Sequence, residues 1–258
     1  MGLRAAVTGA GGLVGSHLAA RLGDDLVESI EEADVVFHLA AQTIVSAAYA
    51  DPVATFEANV ALAWRTAAAA PRCVFASTDQ VYGPRPPAPI TEDAPLAPEG
   101  PYATSKAAAD LLVRTLPGTV VARLANVYGP GDRHASRLVP GTIAAVRAGR
   151  RPVIRGDGSA RRDLLFVDDA VSALLVLAAR GEEGRAYNVG TGEAHSVREV
   201  VDAVLRVAGS DLEPEVLGGA PPGEGGGRAL DASRLRALGW APRVALEDGL
   251  RRTWDASR

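Results

Sequence analysis

Three short stretches of this chain carry side chains whose types and spacing point to chemistry. In "YATSK", Tyr102 precedes Lys106 by four residues, which on a helix puts both on one face. Lys106 is the only lysine among 27 basic residues, so arginine supplies positive charge everywhere else. A tyrosine ionises near pH 10, and a phenolate working at neutral pH needs roughly 3 units of help, about 4 kcal/mol. A compact ammonium nearby, joined by a second positive charge, can give it. In "STDQVYG", the hydroxyl of Thr78, the carboxylate of Asp79 and the amide of Gln80 follow an apolar run, where a strand should end. The same residue types also make ordinary turns, so this stretch takes its meaning from the others. The third is "VTGAGGLVG", with Gly9, Gly12 and Gly15 between a strand and a helix that opens on Leu13 and Val14. Glycines so placed let backbone N–H groups and a helix N-terminus approach a pyrophosphate.

These stretches need a scaffold, and the sequence supplies alternating strands and helices. The runs "LRAAV", "DVVFHLA", "RCVFAS" and "TVVARL" read as buried strands. Between them "LVGSHLAARL", "PVATFEANVALAWRTAAAA" and "PYATSKAAADLLVRTL" have helical length and composition. The alternation predicts an α/β fold, a doubly wound parallel sheet. Residues 84–101, rich in proline, read as a long loop leading into the helix of Lys106. Beyond about Pro130 the rhythm loosens, which predicts a smaller lobe. Further helices are expected near Leu138, from Asp169 and from Ser196, a strand near Asp163, and a glycine-rich loop at 218–227.

Composition narrows the function. With 258 residues, 47% of them hydrophobic, the chain can bury a large core. No apolar run is long enough to span a bilayer and no signal-peptide pattern opens the chain, so a cytoplasmic location and no membrane partner are expected. A single cysteine, Cys73, and four scattered histidines make no disulfide and no metal set. A net charge of −4 without a basic run argues against nucleic acid and for a small ligand.

In order, "TGAGGLVG", "VFHLAA", "STDQVYG", "PYATSK", "NVYGPGDR", "GDGSARRDLLFVDDA" and "YNVGTG" resemble the extended short-chain dehydrogenase/reductase family. The likeness covers essentially the whole chain and is strongest to the NAD-dependent sugar-nucleotide epimerases and dehydratases. The segment from Ser136 to Asp163 most resembles the CDP-glucose 4,6-dehydratase-like branch. The resemblance implies a Rossmann-like core over 1–129, with 163–180 returning to it, and 130–258 mainly a substrate lobe. It implies NAD held by Gly9, Gly12, Leu13, Val14, Gly15, Leu39, Ala40 and Ala41, with Tyr102 and Lys106 at the nicotinamide end. Thr78 and Tyr102 would act at the sugar O4, with Asp79 as a possible acid. Gln80, Asn126, Arg137, Val153 and Arg162 would contact a nucleotide-diphosphate sugar. The helices at Phe56–Ala70 and Tyr102–Leu116 resemble a four-helix homodimer interface.

Two departures stand out. Only "GDDLVESIEEAD" separates the first helix from "VVFHLA", too little for the strand, helix and strand that relatives place there. The sheet is therefore predicted to be truncated at the edge that holds adenosine, with Asp25, or its neighbour Asp24, as the available ribose ligand. The second departure is Gln80, where dehydratases of the dTDP-glucose type carry a carboxylate beside the acid; an amide has no useful pKa for base work, although the CDP-glucose branch carries no glutamate there either. Three readings follow: a C4 epimerase, a 4,6-dehydratase, and a relative that binds nucleotide without turnover.

Overall fold

The computed structural model describes residues 3–84, 89–219 and 229–257. Its strands are β1 (Ala5–Thr8), β2 (Val35–His38), β3 (Cys73–Thr78), β4 (Thr119–Leu124), β5 (Asn126–Tyr128), β6 (Val153–Ile154), β7 (Arg161–Phe166), β8 (Ala186–Val189), β9 (Ala194–Ser196) and β10 (Glu215–Val216). The helices are α1 (Leu13–Leu22), α2 (Val45–Ala50), α3 (Pro52–Phe56), α4 (Leu62–Ala69), α5 (Gly100–Val113), α6 (Leu138–Arg147), α7 (Val167–Arg180), α8 (Val197–Ala208), α9 (Ser233–Arg236) and α10 (Leu246–Ala256).

The central sheet is parallel in the order β1-β2-β3-β4-β8. Its strands are almost wholly buried because both faces are covered, which is why they read as apolar runs without alternation. Helices α1 and α7 lie on one face, packing Leu18, Leu174 and Leu177 against Val35, Val74 and Val120. Helices α4 and α5 cover the other, where Ala63, Ala67, Ala109 and Val113 meet Cys73, Phe75 and Val121. The predicted helix after Pro52 is interrupted: a π turn at Glu57–Ala61 joins α3 to α4 and turns Asn59 inward.

The division of the chain differs from expectation. The return to the core does not stop at residue 180, because β8 adds to the sheet beside β4, and Leu230, Leu235 and Trp240 pack into the same core. Without β8, β4 would present an unpaired edge and α7 would overhang the sheet. The second lobe is accordingly smaller: α6, α8 and α10 pack around β5–β7–β9 and the short pair β6–β10. The long proline-rich loop is pinned at its far side, where Ile90 exchanges backbone hydrogen bonds with Ala229 and Asp231. Most of the expected glycine-rich loop lies outside the described residues.

The truncation at β1 is present. After α1 the chain makes a turn at Gly23–Asp25, touches β1 through one bridge, Leu26 to Ala5, and enters β2 with no intervening strand. No described helix is long and apolar enough to cross a membrane.

Candidate active site

A cavity of about 1440 Å³ opens at the C-terminal ends of the strands, where open parallel sheets place their ligands. Each strand contributes its exit segment: Gly9 to Gly15 after β1, Leu39 to Ala41 after β2, Thr78 to Gln80 at β3, and Asn126 after β4. Helices α5 and α6 close the opposite wall.

The glycine turn has a division of labour. Gly9 adopts φ +77°, and a β-carbon there would lie 2.7 Å from the Ala40 backbone nitrogen. A side chain at Gly15 would collide with the Gly9 carbonyl. Both are glycine so that β1, α1 and the segment after β2 can close on one another. Gly12 is different: it is the N-cap of α1, carries no side-chain cap, and meets only the Gly9 carbonyl at 3.3 Å. The N–H groups of the first turn, at Leu13, Val14 and Gly15 on the cavity wall, thus have no capping side chain. This donor set, at the positive end of a helix dipole, fits an anionic pyrophosphate.

The strand end "STDQVYG" acquires its shape from two features. Thr78 closes β3 and caps a 3₁₀ turn at Asp79–Tyr82, its hydroxyl accepting from the Gln80 N–H at 3.3 Å. Gly83 follows at φ +66°, tight against the Ala97 carbonyl. Asp79 is thereby buried, with the Thr78 hydroxyl donating to it at 3.1 Å and the Asn126 amide at 3.5 Å. Gln80 remains half-buried on the cavity wall.

Tyr102 and Lys106 share the cavity-facing side of α5. Gly100 starts this helix at φ +79° with Pro101 in its first turn, so the tyrosine sits in the rigid opening segment. Burial pushes the Tyr102 phenol up to about 12; its hydrogen bond with Thr78 and the charge of Arg137 oppose the rise, and Asp79 adds to it. Lys106 is buried, donates to the Ala76 carbonyl at 2.5 Å and lies 4.2 Å from the Phe75 ring centroid. Burial lowers it to about 7, against the pull of Asp110. Lys106 is turned to a strand carbonyl and an aromatic face, and the groups acting on Tyr102 are Thr78, Asp79 and Arg137.

On the substrate side, Arg137 caps α6 and bridges two elements, donating to both oxygens of Asp132 at 3.1 Å and to the Thr43 hydroxyl at 3.1 Å. Arg162 and Val153 also line the cavity, joined by Arg150, Arg151, Arg155 and Leu217. Val153 and Leu217, about half exposed, present apolar surface at the short β6–β10 pair.

One expected residue is not brought to the site. Asp25 is exposed in the turn after α1, at the end of the sheet remote from the cavity, and does not line it. Other residues escaped the sequence reading. His38 is buried at the end of β2, hydrogen-bonded to the Thr8 hydroxyl at 2.9 Å and stacked on Phe75; burial, aided by Lys106, holds it neutral at about 4. Asn59, on the π turn, donates to the Gln42 carbonyl at 3.1 Å and to the Ser105 hydroxyl at 2.9 Å, and accepts from the Gln42 N–H at 2.8 Å. It ties the segment after β2 to α5. Its only signal was an asparagine inside an alanine-rich helix, a poor helix former with an unmet need for partners.

A Rossmann sheet with an uncapped glycine turn and a tyrosine–lysine helix beside it defines the class of extended short-chain dehydrogenases/reductases. The sequence model described as "NAD dependent epimerase/dehydratase family" matches residues 23–190, and the chain belongs to that family. It is 39% identical over 236 residues to a UDP-glucose 4-epimerase of Mycolicibacterium smegmatis, covering 85% of this chain and 74% of the relative. Among solved structures it is similar to the dTDP-glucose 4,6-dehydratase DesIV of Streptomyces venezuelae with NAD and TYD bound, with TM-score 0.89, 27% identity and coverage of 98% and 96%. It is also similar to RMD of Pseudomonas aeruginosa complexed with NADPH, with TM-score 0.88, 29% identity and full coverage of both chains, 100% each.

Proposed function

We propose that this chain is an NAD-dependent sugar-nucleotide 4-epimerase. The observation that carries the choice of reaction is the carboxylate inventory of the cavity. Among the described residues two carboxylates line it, Asp79 and Asp132; Asp132 is paired with Arg137, and the position beside Asp79 holds the amide of Gln80. Dehydration across C5 and C6 needs an acid and a base, and among the described residues no second carboxylate stands beside Asp79 on the cavity wall to be the base. Epimerisation at C4 needs no carboxylate pair, since its one proton, at O4, is handled by Tyr102.

When bound, the nicotinamide dinucleotide supplies the hydride acceptor and donor at C4; Gly12, Leu13, Val14 and Gly15 would hold its pyrophosphate and Lys106 its nicotinamide end. Thr78 positions the sugar O4, and Tyr102 takes its proton and later returns it. Arg137 and Arg162, with flat guanidinium forks, suit the diphosphate, and Val153 with Leu217 the base. The cavity is roomy enough for a 4-keto sugar to turn over and receive hydride on its other face.

Incubation with UDP-, dTDP-, CDP- and GDP-hexoses should yield C4 epimers with no loss of water, read by nuclear magnetic resonance. A 4-keto-6-deoxy product would instead establish the dehydratase, for which buried Asp79 would be the acid. The protein is also proposed to be a homodimer. The outer faces of α3, α4 and α5 expose Val53 (69%), Phe56 (52%), Leu62 (43%), Trp64 (38%), Leu111 (55%) and Leu112 (42%), more apolar surface than a lone helix pair keeps in water. A monomeric mass at micromolar protein would remove that part.

A further inference from the structure

We infer that this chain does not discriminate between nicotinamide dinucleotides with and without a phosphate on the adenosine ribose. The inference rests on the cofactor reading above and concerns what the shortened edge does to it. Discrimination at that ribose needs a side chain at the cavity end of a strand beside β1: a carboxylate accepts from the 2′-hydroxyl and repels a phosphate, and an arginine does the reverse.

The path of the chain leaves that place without either. Helix α1 spans ten residues, about 15 Å, and carries the chain from the glycine turn to the opposite end of the sheet. There Leu26 pairs with Ala5, three residues before the end of β1 at Thr8, which is about 10 Å away along the strand. The chain re-enters the sheet from the same remote end, where the Asp34 N–H donates to the Arg4 carbonyl at 2.8 Å. The intervening residues do not climb towards the cavity. Val27 and Ile30 pack on Ala6, Ala33, Val36 and Ala70, and Ala70 itself stands just before β3, at that remote end. No residue between Gly15 and Leu39 lines the cavity.

The charges of this segment follow the backbone. Asp24 and Asp25 directly precede Leu26 at the far end, and Arg4 is 3.8 Å from Asp34 there. Across about 10 Å of exposed surface their fields at the glycine turn are screened at physiological salt, where the Debye length is about 8 Å. The grip on the dinucleotide therefore comes from the pyrophosphate to the nicotinamide, the part common to both forms.

The test is fluorescence titration of the nucleotide-stripped, full-length protein with NADH and with NADPH at physiological salt. The dissociation constants should agree within about fivefold, whereas a carboxylate or arginine in contact with the ribose substituent would separate them by more than about tenfold. A ratio beyond fivefold in either direction overturns the inference and leaves the cofactor reading standing. Failure of both dinucleotides to bind overturns the cofactor reading and the inference with it. The double variant Asp24→Ala/Asp25→Ala sharpens the result. Unchanged constants for both ligands support the inference, and a selective gain for NADPH shows that these carboxylates reach the ribose and refutes it.

Discussion

The two edges of the central sheet are built in opposite ways. At the β8 edge, Arg123 is buried and makes two hydrogen bonds to the Asp110 carboxylate, at 2.9 and 3.0 Å, and a third to the Tyr82 hydroxyl at 2.9 Å. The Tyr82 hydroxyl donates to the Asn188 side-chain oxygen on β8 at 2.7 Å, and the Asn188 amide nitrogen donates to the Ile90 carbonyl at 2.7 Å. One network thus locks β4, α5, β8 and the proline-rich loop together. At the β1 edge the described residues make one backbone bridge and a small cluster of alanine, valine and isoleucine. The firm edge flanks "STDQVYG" and the helix of Tyr102 and Lys106, and the bare one flanks the glycine turn. Stability is concentrated where reacting atoms must be held to fractions of an ångström, while the side expected to face adenosine is reduced to what closes the sheet.

The sharpest way to break this comparison is at Arg123. Arg123→Met takes both short hydrogen bonds from the buried Asp110 carboxylate and leaves it Arg114 at 4.0 Å, and should cost about 3 kcal/mol in urea unfolding. The double variant Arg123→Met/Asp110→Leu should recover most of that, because the buried carboxylate goes together with the guanidinium that satisfies it. A single-variant loss below about 1 kcal/mol would mean that the network does not anchor the edge.

Lys106 comes next. If it acted only as a positive charge, arginine would replace it, as arginine serves everywhere else in this chain. Its ammonium instead fits between the Ala76 carbonyl and the Phe75 ring, so the bulkier planar guanidinium of Lys106→Arg should cost on the order of 10²-fold in turnover. Near-full activity would remove the main support for the mechanism. The same residue has a pH signature. Folded Lys106 titrates at about 7 against an ordinary 10.5, so the unfolded chain holds the extra proton between those values. The lysine's contribution to stability must rise with pH across that window. In Lys106→Met the rise should vanish, which urea midpoints at neutral and alkaline pH would record.

What the sequence disclosed, and what it hid, follows the same line. Gly9, Gly12 and Gly15, the Tyr102–Lys106 spacing and the missing strand were legible because each is local: a turn, one face of a helix, a count of residues too short for a crossover. Asp110 and Arg123 were not, because each looks like a surface charge until the fold brings helix and strand together. Asp25 misled for a related reason. An acidic residue just before Leu26 resembles a ribose ligand in type, but its place depends on how far the chain climbs after α1, and it does not climb. The addition of β8 was equally invisible, since nothing in "AYNVGTG" states which strand it will join.

The smallest effect belongs to the bare edge. Ile30 is half-buried against Ala6, Val36 and Ala70, and truncating a fully buried isoleucine to alanine costs about 2–5 kcal/mol, so Ile30→Ala should lose about 1 kcal/mol, in proportion to its partial burial. The damage should also stay local. With Leu26, among the described residues, the only one bridging the outer side of β1, opening that corner disturbs neither β3 nor α5, so turnover should be unchanged while amide exchange at Leu26 and Val27 accelerates. A loss approaching that of Arg123→Met, or a fall in turnover, would mean that the small apolar corner supports the site as strongly as the buried network does. The contrast between the two edges would then be one of composition alone, with no difference in stability behind it.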